Sequence, residues 1–193
     1  VSGRLARYNG MSAEPLYHPP PLAGVLKPGP FGDYVLSVGR LEATKRVDLI
    51  VRALARVRGV RLVVVGEGPL RRQLEEIAAE AGVADRVVWA GVVDDRQLVD
   101  LYAGALAVVF PPYDEDYGYV TLEGFLAQKP VVTTTDAGGP LEFVEDGVNG
   151  FVVAPEPQAI ADAIARLSAD RRAAAALGEA GYERARAITW TRV

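Results

Sequence analysis

Six short runs of β-branched and apolar residues alternate with longer segments of helical period from Tyr34 onwards. The predicted strands span residues 34–39, 61–66, 86–91, 106–110, 130–135 and 150–154. The predicted helices span residues 47–57, 70–81, 97–105, 119–128, 157–168 and 171–187. This alternation is typical of βαβ units, in which helices cover both faces of a parallel sheet. The sequence therefore predicts an α/β fold, a Rossmann-like parallel sheet of about six strands.

Parallel sheets of this kind bind their ligands at the carboxyl ends of the strands. The loops that follow Gly39, Gly66, Gly91 and Phe110 are therefore predicted to converge at one edge of the sheet. Functional residues are expected in these loops.

Composition excludes several classes of protein. Half of the 193 residues are hydrophobic, so the chain is expected to fold around a core. No apolar run approaches the roughly 20 residues that cross a bilayer, and the absence of cysteine excludes disulfides and thiolate metal sites. A net charge of -4 argues against nucleic acid as a partner. These features predict a soluble, cytoplasmic protein in which a few local cations hold any anionic ligand.

The two ends of the chain differ from the middle. Residues 11–32 are rich in proline and glycine and show no periodicity, as expected of a linker. At the other end, residues 189–193 resemble the start of a new helix, with Thr189 or Thr191 as a cap. We therefore predict an interdomain arm over residues 1–32, a ligand-binding domain over residues 33–193, and an origin in a larger chain.

Two cations follow the first predicted strand. Arg40 and Lys45 come after Gly39 in the turn that leads to the first helix of the domain. A guanidinium offers a fork of donors and an ammonium offers a compact charge, and together they suit a diphosphate. From spacing alone, the alternative that both residues are solvated surface charges is equally well supported.

A glycine-rich turn follows the second predicted strand. Gly66 and Gly68 begin like a dinucleotide-binding fingerprint, but Arg71 stands where the third glycine is expected. The acidic residue expected at the end of the next strand is also missing, which disfavours a hydride-transfer domain. Gly66 is predicted to form a tight turn where the backbone approaches a ligand, the alternative being an ordinary strand-to-helix turn.

Residues 111–123 lead from a buried strand directly into a helix. Gly118 precedes the predicted helix start, so the N–H groups of Tyr119 and Val120 would be unpaired and would form an anion site. Glu115 lies in the loop and Glu123 about one turn into the helix, where carboxylates can accept hydrogen bonds from sugar hydroxyls. The alternative is that Glu123 is simply an acidic residue in the first turn of a helix, where the helix dipole stabilises it. This alternative explains Glu123 only in part.

Other interpretations of the same segment remain open. Asp114 and Asp116 match the D-x-D pattern that holds a divalent metal through oxygen ligands. Glu115 and Glu123 could instead be the paired carboxylates of a glycosidase, although Arg40 and Lys45 would then have no task. The single histidine, His18, lies in the proline-rich arm and is not expected to act as a catalytic base.

Taken together, the motifs resemble one family: the C-terminal, nucleotide-sugar-binding domain of retaining glycosyltransferases of the two-Rossmann-domain (GT-B) architecture, family 4. The resemblance runs from about Tyr34 to Trp190. It rests on the motifs at 38–41 with Lys45, 65–69, 98–102 with Ala105, Glu115 with Glu123, 129–132, and 138–142 followed by 149–150.

The resemblance implies roles for individual residues. Arg40, Lys45 and Glu115 would be catalytic: the two cations would bind the donor diphosphate and Glu115 would contact the transferred sugar. Tyr119 and Val120, after Gly118, would present backbone amides, and Glu123 would hold the ribose hydroxyls. The remaining donor-binding positions would be Gly39, Gly66, Val93 and Leu98, the last three near the nucleotide base.

The resemblance also sets expectations for the whole protein. The donor would be a nucleotide-diphosphate sugar such as a UDP-, GDP- or ADP-sugar, and neither a metal nor another cofactor is implied. The resemblance places the acceptor-binding domain outside these residues, so we expect the chain by itself to bind donor weakly and not to catalyse transfer. Peripheral association with the cytoplasmic face of a membrane would occur through that domain.

The competing hypothesis is a non-catalytic nucleotide-sugar sensor. The tyrosines at 117 and 119 depart from the Phe and Leu common in the family and leave the sugar open.

Overall fold

A computed structural model describes residues 2–192, and six parallel strands form one sheet in it. Val1, the first residue of the predicted arm, and Val193, the last residue of the predicted domain, lie outside the described residues. The strands are β1 (Tyr34–Val38), β2 (Arg61–Val65), β3 (Val87–Gly91), β4 (Ala107–Val109), β5 (Val131–Thr134) and β6 (Gly150–Val153). Their order across the sheet is β3-β2-β1-β4-β5-β6. The predicted fold class is confirmed.

Helices cover both faces of this sheet. They are α1 (Ser2–Asn9), α2 (Val47–Leu54), α3 (Arg71–Glu80), α4 (Asp95–Gly104), α5 (Tyr119–Leu126), α6 (Pro157–Ala169) and α7 (Arg171–Ala185). Among residues 2–192, no helix combines the length and the apolar character that crossing a bilayer requires.

Successive strand residues point to opposite faces of the sheet and build two separate cores. Val35 of β1 packs into the core formed with α2, α3 and α6, whereas Leu36 packs into the core formed with α4 and α5. The same alternation holds along β2, where Leu62 and Val64 face the first core. Because both faces are covered, the strands are apolar at nearly every position, which is why they are recognisable in the sequence.

Most elements begin and end within a few residues of the predicted bounds. Helix α4 begins two residues earlier than predicted because the Asp94 side chain accepts from the Gln97 N–H while Gln97 reaches back to the Asp94 N–H. Strand β3 begins at Val87 because a 3-10 turn occupies Ala84–Arg86. Helix α1 was not predicted, since eight residues give too short a pattern for a helical period to be read.

The strand order reverses direction between β1 and β4. The chain moves outward from β1 to β2 and β3, then returns to the other side of β1 and moves outward again through β4, β5 and β6. The loops that follow β1 and β4 therefore diverge to opposite sides and leave a crevice between them. Crevices of this kind are where open α/β sheets bind ligands.

The N-terminal arm, residues 2–32 of the described chain, packs against the domain at its last residues. Lys129 is fully buried, and its Nζ donates a hydrogen bond to Gly29 O at 2.8 Å and lies 3.9 Å from the centre of the Phe31 ring. Arg171 donates to the carbonyl oxygens of Phe31 and Gly32. Burial lowers the pKa of Lys129 to about 8.

We expect the free energy of unfolding of the wild-type protein to rise, relative to Lys129→Met, as the pH increases from about 8 to about 10. In this range an unfolded lysine, with its ordinary pKa of 10.5, still binds a proton that folded Lys129 has lost. Stability increases with pH wherever the unfolded state binds more protons, here by about 2 kcal/mol. Urea denaturation at several pH values measures the difference.

Lys27→Met is the matched control, because the Lys27 side chain is 61% exposed and the substitution should leave the pH profile unchanged. Parallel profiles for Lys129→Met and the wild type would contradict the prediction.

Candidate functional site

The loops after β1 and β4 meet at the crevice between these strands. The Tyr113 N–H donates to Thr44 O at 2.7 Å, which ties the two loops together through their backbones. Next to this contact, Lys45 Nζ forms an ion pair with Glu115 Oε2, and both side chains are about three-quarters buried. Two residues predicted for the site, 70 positions apart in sequence, are therefore brought into direct contact.

Arg46 fastens the loop that carries Glu115, and sequence reasoning missed it. Its guanidinium donates to Pro111 O at 2.8 Å and Pro112 O at 2.7 Å, and it binds both oxygens of Asp136. Asp136 follows β5, so one side chain joins the ends of three strands. The guanidinium holds the pKa of Asp136 below its usual range. In the sequence, Arg46 is one more cation beside Lys45, and nothing marks it as buried.

The backbone of Glu115 is also fixed. Its N–H donates to Ala137 O at 2.9 Å, its carbonyl accepts from the Gly139 N–H at 2.6 Å, and it forms a parallel bridge with Gly138. A Cβ atom at Gly138 would lie 2.5 Å from Glu115 O, so only glycine allows this approach. The Glu115 carboxylate therefore projects from a rigid backbone.

Helix α5 begins directly after Gly118, as predicted. Gly118 has a φ of 81°, in the left-handed region that glycine tolerates, and Tyr119 and Val120 are the first two helical residues. The first N–H groups of a helix have no partner within it. The helix start lies near the Lys45–Glu115 pair because Phe110 adjoins both: Lys45 Nζ is 5.8 Å from the centre of the Phe110 ring, and a Cβ at Gly118 would lie 3.3 Å from the edge of that ring.

Glu123 is nearly buried, with 8% of its surface exposed. Burial raises its pKa, and a hydrogen bond from the Tyr102 hydroxyl to Glu123 Oε2, at 2.7 Å, acts in the opposite direction. Tyr102 lies on α4 and is fully buried. Sequence reasoning included this tyrosine in the motif at 98–102 but gave it no role, because a tyrosine on an apolar helix face is ordinarily a core residue.

Arg40 lies apart from the Lys45–Glu115 pair. Its side chain is 76% exposed and forms an ion pair with Glu42 at 2.9 Å. Together with Glu67, Gly68 and Arg71 it lines an open cleft at the carboxyl edge of the sheet. Of the two predicted diphosphate-binding cations, Lys45 is paired with Glu115 and largely buried, whereas Arg40 is paired with Glu42 and largely exposed.

The glycines at the strand ends are close neighbours. The Gly66 N–H donates to Gly91 O at 2.8 Å, and a Cβ at Gly66 would lie 2.1 Å from Gly39 O. Val93 and Leu98, predicted near the base, are partly buried and pack on the core beneath α4 and α5. The predicted donor-binding positions therefore lie along one edge of the sheet. Within residues 2–192, Val93 and Leu98 form no hydrogen bond with Lys45 or Glu115.

The arm contacts the same loop. The Tyr117 hydroxyl bonds both the N–H and the carbonyl of His18, at 2.9 Å and 2.6 Å. The Tyr119 hydroxyl lies 2.9 Å from His18 Nδ1, with the donor set by the tautomer of the ring. Tyr117 and Tyr119 flank Gly118, so the arm borders the helix start. Sequence reasoning had left His18 away from the site, because periodicity cannot show where a proline-rich segment packs.

The alternative D-x-D metal site gains no support from the geometry. Across the described part of the chain, no group of three or more His, Asp or Glu side chains is arranged to hold a metal ion. Glu115, which lies between Asp114 and Asp116, is instead paired with Lys45.

Known glycosyltransferases resemble this chain in sequence. An uncharacterized glycosyltransferase of Methanocaldococcus jannaschii is 36% identical over 140 residues, covering 70% of this chain. A D-inositol 3-phosphate glycosyltransferase of Xylanimonas cellulosilytica is 39% identical over 152 residues, covering 75% of this chain. In each case the matched part is 36% of the relative's length, so the chain corresponds to about a third of these proteins.

Solved structures show the same fold. Sucrose-phosphate synthase from Thermosynechococcus elongatus superposes with a TM-score of 0.87 at 28% identity, over 98% of this chain and 52% of that one. Anabaena HepE, solved in complex with UDP and glucose, superposes with a TM-score of 0.76 at 28% identity, over 81% of this chain and 44% of that one.

The glycosyl transferases group 1 family model matches residues 30–184, which include all six strands and every loop at the carboxyl edge of the sheet. This chain is therefore a member of the glycosyl transferases group 1 family, built on the Rossmann-like fold of the C-terminal domain of GT-B glycosyltransferases.

Proposed function

We propose that this chain binds the nucleotide-diphosphate sugar donor of a retaining, metal-independent glycosyltransferase. The observation that carries the proposal is the contact of Lys45 with Glu115 in the crevice between β1 and β4, beside the start of α5. A cation, a carboxylate and a helix N-terminus meet there, which suits a ligand with a charged diphosphate and a hydroxyl-rich sugar. The UDP complex of HepE supports a nucleotide ligand for this fold.

Six of the predicted site residues act directly on the donor in this proposal. Lys45 and the exposed Arg40 bind the diphosphate and stabilise the negative charge that it gains when its bond to the sugar breaks. The amides of Tyr119 and Val120 add partial positive charge from the helix start. Glu115 accepts hydrogen bonds from the transferred sugar, and Glu123 accepts them from the ribose.

The rest of the reaction lies outside these residues. An acceptor must approach the donor from the open side of the crevice, and we propose that a second domain binds it. We also propose that transfer needs this domain, so that the chain by itself binds donor weakly without transferring its sugar.

The donor site can be tested by calorimetry with UDP, GDP and ADP and their common sugars. Arg40→Ala and Glu123→Ala should each weaken the best nucleotide by roughly tenfold or more, since hydrogen bonds to charged groups contribute about 1.5–3 kcal/mol. Arg72→Ala is the matched control, because Arg72 is 91% exposed and pairs with Glu76 on α3. Unchanged affinity in both site variants would show that the donor-site assignment is wrong.

Glu115→Gln separates the sugar contact from the diphosphate contact. The substitution removes the carboxylate that holds Lys45, so the affinity for the free nucleoside diphosphate should not fall. The additional affinity that the sugar brings should fall by about tenfold, because a charged acceptor becomes a weaker one. The measurement is the ratio of the dissociation constants for the diphosphate and for its sugar.

Asp116→Asn, one residue away and exposed, controls for loss of charge in the same loop and should preserve this ratio. Equal losses for the two ligands in Glu115→Gln would argue against a sugar contact.

Metal independence predicts that EDTA leaves donor affinity unchanged, because Lys45, Arg40 and the helix start already supply positive charge. Calorimetry of the best nucleotide sugar with EDTA, and then with added Mg²⁺ or Mn²⁺, measures this. Binding that disappears in EDTA and returns with either metal would contradict the proposal and favour the D-x-D interpretation.

A further inference from the structure

Tyr102 and Glu123 form an isolated polar contact inside the core between α4 and α5. The tyrosine is fully buried, the glutamate is 8% exposed, and the hydroxyl donates to Glu123 Oε2 at 2.7 Å. Their neighbours in this core are apolar, with Leu122, Phe125 and Val108 among them. A tyrosine that only filled space would not need its hydroxyl here, because phenylalanine packs equally well.

The contact uses one side of the carboxylate. A tyrosine hydroxyl has a single proton to donate, whereas a carboxylate has about four acceptor positions on its two oxygens. Oε2 is held by Tyr102, and no hydrogen bond to Oε1 is found among the described residues. Oε1 is nevertheless not a buried atom without a partner, as Thr121 Oγ1 is, so it belongs to the 8% of Glu123 that is exposed. Oε1 is therefore the oxygen that can accept a hydrogen bond from a group outside the core.

We propose that Tyr102 is a positioning residue that fixes the Glu123 carboxylate, aims Oε1 at the donor's ribose and sets the preference for ribose over deoxyribose. This inference rests on the proposed function, in which Glu123 accepts from ribose hydroxyls. Without the tyrosine hydroxyl, the carboxylate would be a buried polar group that can rotate or bind a proton, and both changes weaken its use as an oriented acceptor.

The ionisation of the two groups is consistent with this role. Burial and the nearby carboxylate raise the pKa of Tyr102 well above its usual value, so its hydroxyl keeps the proton that it donates. Two influences act on the pKa of Glu123: burial raises it and the Tyr102 hydrogen bond lowers it. The tyrosine thereby favours the ionised carboxylate, which is the stronger acceptor.

The test compares ribose and deoxyribose ligands with the full 193-residue chain. The probes are whichever of UDP, GDP and ADP binds most tightly, and its 2′-deoxy and 3′-deoxy analogues. The wild-type protein should prefer the ribonucleotide over at least one analogue by roughly tenfold, the value of one hydrogen bond to a charged group. In Tyr102→Phe this ratio should fall towards one, while affinity for the deoxy analogue stays near the wild-type value.

Tyr34→Phe is the matched control. The Tyr34 hydroxyl also donates to α4, to Leu101 O at 2.7 Å, but it does not contact Glu123, so this variant should keep the wild-type ratio.

The pH dependence of binding is a second readout. Lowering the pH from about 8 to about 6 should weaken ribonucleotide binding more in Tyr102→Phe than in the wild type, because the pKa of Glu123 rises when the hydrogen bond is lost.

The inference is overturned if Tyr102→Phe keeps the wild-type ratio, or if it loses affinity equally for ribose and deoxyribose ligands, as a purely structural residue would. In either case the proposed function still holds if the wild-type protein prefers the ribonucleotide over a deoxy analogue. Failure of the wild type to bind any of the three diphosphates would overturn the proposed function and this inference together.

If Tyr102→Phe does not fold, Glu123→Gln and the double variant Tyr102→Phe/Glu123→Gln replace it, since neither contains the buried charge. The single variant should retain part of the ribose preference, because Tyr102 still orients the amide oxygen, and the double variant should lose it. Equal preferences in these two proteins would overturn the inference.

Discussion

The reversal of strand order between β1 and β4 is the constraint on which the rest of the structure depends. The chain moves outward from β1 to one side of the sheet and from β4 to the other, so the loops that follow these two strands separate at their carboxyl ends. Lys45 and Glu115 enter this gap from its two sides. The topology therefore opens the crevice, and the sequence supplies the cation and the carboxylate that pair across it.

Rigidity around the gap comes from unusual backbone geometry. Arg46, Asp114, Gly118 and Gly138 all have positive φ values, between 47° and 81°. Non-glycine residues adopt such angles only where the surroundings hold them, as the five hydrogen bonds of the Arg46 side chain do. Arg46 directly follows Lys45 and Asp114 directly precedes Glu115, so this backbone geometry adjoins both side chains of the pair. A site that is already ordered does not have to order its side chains when a ligand arrives.

The fold could be predicted because its strands are buried on both faces and are apolar almost throughout. Lys45, Glu115 and Gly118 could also be predicted, since charge and glycine at strand ends are visible without coordinates. Arg46 and Tyr102 could not, because their importance depends on partners that lie 90 and 21 residues away along the chain. The packing of His18 was hidden for a related reason: a segment without periodicity gives no indication of the surface that it covers.

The burial of Lys129 has a consequence for the modularity of the domain. Its ammonium is solvated by the carbonyl of Gly29 and by the face of Phe31, so these arm residues replace water inside the core. A chimera that joined this sheet to a foreign linker just before β1 would leave a desolvated cation without acceptors, a far greater penalty than that of an altered surface loop. A domain boundary chosen for such a chimera should therefore lie before Gly29, upstream of the first strand.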